Sequence, residues 1–191
     1  PHTSVESQDK VRHILKILSG FQMQSRLFMV PFADVQKEIV AYAPPALRVV
    51  LYRRFMVRIA QAIAEKEKAK ALVTGDSLGQ VASQTLENIQ TISGVCTMPI
   101  FRPLIGSDKE EIIDIARKIG TYDTSIQADQ DCCSLFAPQR PATAANLVEC
   151  ADAERTLGLA ALEQESLAGL DVYRSERGGP IEETDEGLER G

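Results

Sequence analysis

The chain alternates between stretches with apolar residues at helical spacing and short apolar runs that suit buried strands. Apolar residues three and four positions apart, as at Val11, Ile14, Leu15 and Leu18, are typical of one face of an amphipathic helix. Helices are predicted over residues 5–18, 33–41, 47–68, 77–92 and 108–119. Strands are predicted over residues 26–31, 71–74 and 98–104. This order predicts a doubly wound, parallel α/β sheet.

The helix that begins near residue 108 has the clearest end signals. Asp108 is placed as its N-cap, acidic residues follow in the first turn, and Lys118 lies in the last turn. A stripe of apolar residues predicts its buried side: Ile112, Ile113, Ile115, Ala116 and Ile119.

The character of the chain changes after Gly120. Residues 123–141 are predicted to form a long ordered loop, because they contain two Cys and two Pro and show little periodicity. The sheet domain is therefore predicted to cover residues 1–143. A helical extension is predicted over residues 144–173, and an acidic flexible tail over residues 174–191.

The segment from Thr74 to Gln90 follows a predicted strand and is the first candidate for a binding site. Ligands of doubly wound sheets bind beyond the carboxyl ends of the strands. Gly75 can let the backbone approach a ligand, Asp76 and Ser77 can cap the next helix, and free N–H groups there favour an anion. The alternative is a turn with a good helix cap, since the segment is neither a Walker loop nor a dinucleotide fingerprint.

Lys109 is the second candidate. It lies in the first turn of a helix, where a cation is unfavourable for the helix dipole, and it follows the end of a predicted strand. It could therefore face a phosphate. The alternative is an exposed surface lysine.

Two adjacent cysteines, Cys132 and Cys133, are the third candidate. A thiolate is a nucleophile and can accept a persulfide sulfur, whereas the alternative is a pair of small buried hydrophobes. Their position in an irregular loop favours a chemical role. His2 and His13 have no metal-ligand spacing with the cysteines, so no metal site is predicted.

Composition narrows the class of protein. The chain has 191 residues, of which 44% are hydrophobic and 25% charged, as is ordinary for one globular domain. A net charge of -6 disfavours a broad basic face for nucleic acid. The sequence contains neither an apolar run of about 20 residues nor a signal-peptide pattern, so a cytoplasmic protein without a membrane partner is expected.

Four segments, taken in order, resemble motifs of the tRNA 4-thiouridine synthetase family, which is also linked to thiazole synthesis for thiamine. They are T-G-D-S-L-G-Q-V-A-S-Q-T, R-P-L-I-G-S-D-K-E-E-I, I-G-T-Y-D-T-S-I and D-C-C-S-L-F. The resemblance runs from about Pro1 to Pro141. It implies a three-layer, Rossmann-like parallel sheet of the adenine-nucleotide α-hydrolase (ATP-pyrophosphatase) type. Such enzymes adenylate O4 of a tRNA uridine, release pyrophosphate and then insert sulfur.

The resemblance also implies roles for single residues and a set of partners. ATP, with Mg²⁺, is expected to contact residues matching the family's nucleotide site: Arg53, Gly75 and Gln84, with Asp76 beside them. Lys109 is expected to stabilise charge on the transferring phosphoryl group, and Cys132 to take part in sulfur transfer, with Cys133 as a possible assistant. Expected partners are tRNA and a persulfide donor such as a cysteine desulfurase, and a homodimer is one possible assembly.

The sequence departs from the family in ways that leave alternatives open. The printed sequence contains no S-G-G-x-D-S phosphate-binding loop, and the RNA-binding region and the rhodanese domain of family members are not found in these 191 residues. Asp76 stands where family members usually have Glu. The chain alone is therefore expected to be inactive, with exposed apolar sheet edges. The alternatives are a truncated noncatalytic binding module, or another enzyme of the same fold whose cysteines hold a metal or cluster.

Overall fold

The computed structural model describes residues 4–127, 138 and 140–184, and helices form most of its regular structure. The α-helices are α1 (Val5–Ser19), α2 (Ala33–Tyr42), α3 (Arg48–Lys66), α4 (Leu86–Ser93), α5 (Lys109–Lys118), α6 (Tyr122–Ser125), α7 (Leu147–Glu154) and α8 (Leu159–Ala168). Short 3₁₀ helices span Pro45–Leu47 and Ala82–Gln84. The strands are β1 (Gln24–Met29), β2 (Leu72–Val73), β3 (Ile100–Phe101), β4 (Asp171–Glu176) and β5 (Glu182–Thr184).

Strands β2 and β3 form a parallel pair that ends at the candidate site. Leu72 lies opposite Ile100 and Val73 opposite Phe101. The side chains of Val73 and Phe101 are 68% and 60% exposed, so the described residues leave that part of the sheet surface uncovered. Parallel sheets usually have both faces covered.

The first predicted strand has a different partner from the one expected. β1 does not join the parallel pair; it pairs antiparallel with β4, from Gln24 opposite Glu176 to Met29 opposite Asp171. β5 continues this second sheet on the other side of β4. An apolar run predicts a strand but not its neighbour, and here the partner lies about 150 residues further along the chain.

The prediction of a flexible tail from residue 174 is wrong for residues 174–184, which contain the end of β4, a turn and β5. The polar residues of β4 are paired across the sheet and with α1. The hydroxyls of Ser19 and Ser175 share a buried hydrogen bond of 2.9 Å, and the Arg12 guanidinium donates to the Tyr173 hydroxyl at 2.8 Å. Polar side chains can be buried when they have such partners. The polar composition of this segment therefore led to the wrong prediction of a flexible tail.

The main core forms around α3, the long central helix. Leu51 and Phe55, which lie four residues apart on one face, are fully buried. They belong to a cluster that includes Ile39 of α2, Ile92 of α4 and Cys150 of α7. α3 therefore fixes the positions of the helices that flank the parallel strands.

Two predictions about helices need correction. The helix predicted from residue 77 begins only at Leu86, where the Thr85 hydroxyl accepts a hydrogen bond from the Asn88 N–H at 3.2 Å. Before it, Gly79 adopts a positive φ of 75° that helices exclude. In α5 the capping box of Asp108 and Glu111 is present, but no residue of the helix is fully buried. α5 contacts α6, which is only four residues long, and Ile115 of the apolar stripe is exposed.

None of the helices in the described ranges combines the length and the apolar character that are needed to cross a bilayer.

Candidate functional site

The buried carboxylate of Asp76 gathers polar groups from the ends of both parallel strands and from α3. It accepts hydrogen bonds from the Thr74 hydroxyl at 2.7 Å and from Arg102 Nε at 3.1 Å. Arg53 of α3 forms an ion pair with the other side of the same carboxylate. We call Arg53, Thr74, Asp76 and Arg102 the Asp76 cluster. It lies where ligands bind in α/β sheets, at the carboxyl ends of the strands.

The Asp76 cluster carries a net positive charge. Burial by itself raises the pKa of Asp76, but the hydrogen bond from Thr74, the charge of Arg53 and the hydrogen bonds from both arginines outweigh it. The pKa of Asp76 therefore lies below its ordinary value, and the carboxylate is ionised at neutral pH. Two guanidinium groups against one carboxylate leave a net charge of about +1, which suits an anionic ligand.

Arg53 is the more open of the two arginines and connects the cluster to the loop after β2. Its side chain is 23% exposed, against 14% for Arg102. Its Nη1 donates to the Ser83 carbonyl at 3.1 Å, next to the half-buried Gln84. The Gly79 N–H in turn donates to the Gln84 carbonyl at 3.0 Å, which closes the loop.

Gly75 leaves open space beside the cluster. A Cβ placed on Gly75 meets no atom within 4 Å, and its φ is not in the left-handed region. Neither backbone conformation nor internal packing therefore requires glycine there. The structure brings together all four residues that were predicted to contact the nucleotide: Arg53, Gly75, Asp76 and Gln84.

The loop that leads to Lys109 is attached to the same place. The Ser77 hydroxyl donates to the Ser107 carbonyl at 2.7 Å, and the Leu78 N–H donates to the Ile105 carbonyl at 3.1 Å. Lys109 follows as the exposed first residue of α5. Within the part of the chain that the structure describes, its ammonium group forms no ion pair.

Cys132 and Cys133 lie outside the described residues, but the described chain at Ala142 and Ala145 is hydrogen-bonded to α4. Asn88 of α4 donates through Nδ2 to the carbonyls of Ala82 and Ala142, both at 2.8 Å, and its Oδ1 accepts from the Ala145 N–H at 2.9 Å. Asn88 is fully buried. It therefore joins the segment that follows the cysteines to the turn that carries Ser83 and Gln84.

Sequence reasoning assigned no role to several residues that organise this site. Thr74 and Arg102 belong to the Asp76 cluster, and each directly follows a strand of the structure. The predicted strands, over 71–74 and 98–104, contained both residues and so concealed this signal. Asn88 gave no such signal, because an Asn within a helical stretch is usually solvated.

Two further cations of α3 do not belong to the Asp76 cluster. Arg54 and Arg58 share the Glu154 carboxylate, with each arginine forming two hydrogen bonds of 2.7–2.8 Å. Among the described residues, no group of three or more His, Cys, Asp or Glu side chains is arranged to hold a metal ion.

Comparison with known proteins identifies the family. The family model described as "Thiamine biosynthesis protein (ThiI)" matches residues 1–159. The chain belongs to the ThiI family. Among its relatives, the probable tRNA sulfurtransferase of Thermus thermophilus is 54% identical over 157 residues, which is 82% of this chain and 39% of the relative. That of Moorella thermoacetica is 45% identical over 176 residues, which is 92% of this chain and 45% of the relative.

A solved structure is similar in fold to this ThiI family member. The crystal structure of a 4-thiouridine synthetase–RNA complex with bound ATP matches with a TM-score of 0.88 and 42% identity, and the match covers 92% of this chain and 46% of that chain. The likeness confirms the predicted α/β fold of the ATP-pyrophosphatase type. The chain spans less than half the length of the relatives it matches.

Proposed function

We propose that the full-length protein containing this chain is an ATP-dependent tRNA uracil 4-sulfurtransferase, which also supplies sulfur for the thiazole of thiamine. The Asp76 cluster carries this proposal. It presents net positive charge beside the open space at Gly75, in a fold that matches a 4-thiouridine synthetase with bound ATP and RNA. The naming of relatives as tRNA sulfurtransferases favours the enzyme over a noncatalytic module.

The reaction has two steps in this proposal. O4 of the uridine attacks the α-phosphorus of ATP, so that the O4–P bond forms, the bond to the β-phosphate breaks and pyrophosphate leaves. The terminal sulfur of a cysteine persulfide then attacks C4, the C4–O bond breaks and AMP leaves. A second thiol attacks the inner sulfur of the resulting disulfide, so that the S–S bond to the nucleobase sulfur breaks, 4-thiouridine is released and a cysteine disulfide forms, which a dithiol reductant reduces again. Arg53, the backbone at Gly75 and Gln84 hold the nucleotide. Lys109 stabilises the negative charge on the transferring phosphoryl group.

Cys132 carries or resolves the transferred sulfur, and Cys133 assists it. The resemblance of D-C-C-S-L-F to a motif of the tRNA 4-thiouridine synthetase family supports this role. The sulfur comes from a persulfide donor such as a cysteine desulfurase, in the cytoplasm. tRNA is the substrate, and a homodimer is one possible assembly. A net charge of -6 in this chain indicates that other parts of the protein hold the RNA.

Mg²⁺ is expected with ATP, but the Asp76 cluster does not suit it as a ligand. Both oxygens of the Asp76 carboxylate already accept hydrogen bonds, and two guanidinium groups lie against it. A divalent cation there would be repelled. Mg²⁺ is commonly held by substrate phosphates with one or two carboxylates. The Asp76 cluster offers no free carboxylate for this purpose, and its contribution to nucleotide binding is the positive charge of its arginines.

Replacing Cys132 by serine in the full-length protein is expected to abolish thiolation and to leave ATP binding unchanged, because serine cannot carry a persulfide. The measurement is mass spectrometry of nucleosides from the tRNA of cells that lack the gene and carry either version. Cys96→Ser is the control and should support normal 4-thiouridine content. Normal content with Cys132→Ser would remove this cysteine from the reaction, and no 4-thiouridine with the wild type would refute the proposed function.

Replacing Gly75 by alanine is expected to weaken ATP binding about tenfold and to leave the fold intact. The added methyl group meets no protein atom within 4 Å but occupies space that we assign to the nucleotide. The measurements are calorimetric titration with ATP and thermal unfolding. Gly158→Ala is the matched control, since a Cβ there also meets nothing within 4 Å. If both variants bind ATP equally well, Gly75 does not line the nucleotide site.

A further inference from the structure

Each of the three guanidinium nitrogens of Arg102 donates a hydrogen bond to the protein. Nε donates to Asp76 at 3.1 Å, Nη2 to the Ser93 hydroxyl at 2.8 Å, and Nη1 to the Ile100 carbonyl at 3.4 Å. Its side chain is less exposed than that of Arg53. These contacts hold the Arg102 guanidinium against Asp76, and a role in ligand binding that acts through Asp76 fits this arrangement better than a direct contact.

Asp76 is the residue through which Arg102 can act. Without Arg102, the Asp76 carboxylate would still accept hydrogen bonds from Thr74 and Arg53, so Arg102 is not needed to satisfy it. The charge balance would change, however. Arg53 and Asp76 alone form a neutral pair, whereas the addition of Arg102 leaves one net positive charge beside the open space at Gly75. In a partly buried site this difference in net charge strongly changes the binding free energy of an anion.

We propose that Arg102 is a positioning residue for the triphosphate of ATP. By sharing the Asp76 carboxylate, Arg102 prevents Asp76 from neutralising Arg53, so that Arg53 presents its cationic charge to the nucleotide in a fixed orientation. This inference rests on the proposed function, in which ATP binds at the Asp76 cluster. Arg102 itself makes no contact with the nucleotide.

The test is a double-mutant cycle in the full-length protein, with calorimetric titration by ATP and by adenosine. Arg102→Met is expected to weaken ATP binding about tenfold, because the cluster becomes neutral, and to change adenosine binding less than about twofold. Arg102→Met combined with Asp76→Asn restores the net charge. Its ATP affinity is expected to return to within about threefold of the wild type.

Separate variants control for the loss of a positive charge and for a loss of folding. Arg155→Met removes a positive charge from an exposed pair with Asp152 on α7 and should leave ATP affinity unchanged. Arg102→Lys keeps the charge and should bind ATP within about threefold of the wild type. This variant also tests the proposal if Arg102→Met does not fold. Thermal unfolding of each variant checks that it is folded.

Three results would overturn the proposal: normal ATP affinity with Arg102→Met, no recovery in the double variant, or equal losses for ATP and adenosine. The last of these would indicate a merely structural role. Failure of the proposed function would give a different set of results. In that case the wild type binds ATP with the expected dependence on Arg102 but forms no 4-thiouridine, or it binds no ATP at all.

Discussion

Replacing Glu154 by alanine is expected to lower the free energy of unfolding by about 3–5 kcal/mol, because the change leaves the buried Arg54 and the partly buried Arg58 without their carboxylate. The side chains of Glu154 and Arg54 are both 5% exposed. Arg54 also donates to the Thr91 carbonyl at 2.6 Å, so the ion pair connects α3 with both α4 and α7. Chemical denaturation, followed by circular dichroism, measures the loss.

Two further variants test the cause of this destabilisation. Glu165→Ala removes an exposed carboxylate from α8 and should change stability by no more than about 0.5 kcal/mol. Replacing all three charged residues, Arg54, Arg58 and Glu154, by methionine removes the unpaired charges and should recover most of the loss. A Glu154→Ala variant as stable as Glu165→Ala would contradict a structural role for the ion pair.

The dependence of stability on pH gives a separate readout of the same ion pair. Burial by itself raises the pKa of Glu154, but the hydrogen bonds and charges of Arg54 and Arg58 lower it from 4.5 to about 2. A lowered pKa in the folded state stabilises the fold above pH 4.5, here by about 3 kcal/mol, and this contribution is lost as the pH falls towards 2. The difference between wild type and Glu154→Ala should therefore shrink over that range.

Replacing Lys109 by alanine in the full-length protein is expected to slow uridine adenylation about 10²–10³-fold, as is found when one charge-stabilising group is removed from an active site. The physical reason for the expected loss of rate is the position of Lys109. The loop before Lys109 is hydrogen-bonded to Ser77 and Leu78, immediately after Asp76. ATP affinity should change less than the rate, because we assign Lys109 to charge that develops during the reaction. Release of pyrophosphate in the presence of tRNA measures adenylation.

The matched control for Lys109 lies on the same helix. Lys118 is an exposed lysine in the last turn of α5, at the other end of the helix from the site. Lys118→Ala removes the same charge and should leave the rate unchanged. Normal pyrophosphate release by Lys109→Ala would exclude Lys109 from the reaction, whereas an equal loss in both variants would indicate a general effect of charge.

The sequence predicted most helices of this fold, because helix signals are local. The central helix was predicted over residues 47–68 and spans Arg48–Lys66. The Asp108 cap was also predicted, since the N-cap residue and its partner are three residues apart. The partner of β1 could not be predicted, because β4 lies far along the chain and is polar in composition. Its hydrogen bonds to α1 explain its burial, and these exist only in the folded chain.

The candidate site, too, was predicted only in part from the sequence. The residue types after the strand ends, Gly75 and Asp76 among them, were enough to indicate an anion site, because strand direction puts those ends at one edge of the sheet. Which cations meet Asp76 depended on tertiary structure. Arg53 and Arg54 are adjacent in sequence, yet successive helix positions point about 100° apart. One therefore reaches Asp76 and the other the buried Glu154.

By itself, the sequence determined most helices and the strands of the parallel pair, and it indicated an edge of the sheet and candidate residues for ligand binding, because helical period, capping and strand ends are local properties. Only the tertiary structure decided which charges neutralise one another. The sharing of Asp76 by Arg53 and Arg102, and of Glu154 by Arg54 and Arg58, joins residues 23 to 100 positions apart. Such pairs depend on how the helices and strands pack, and packing brings together side chains that no local pattern relates.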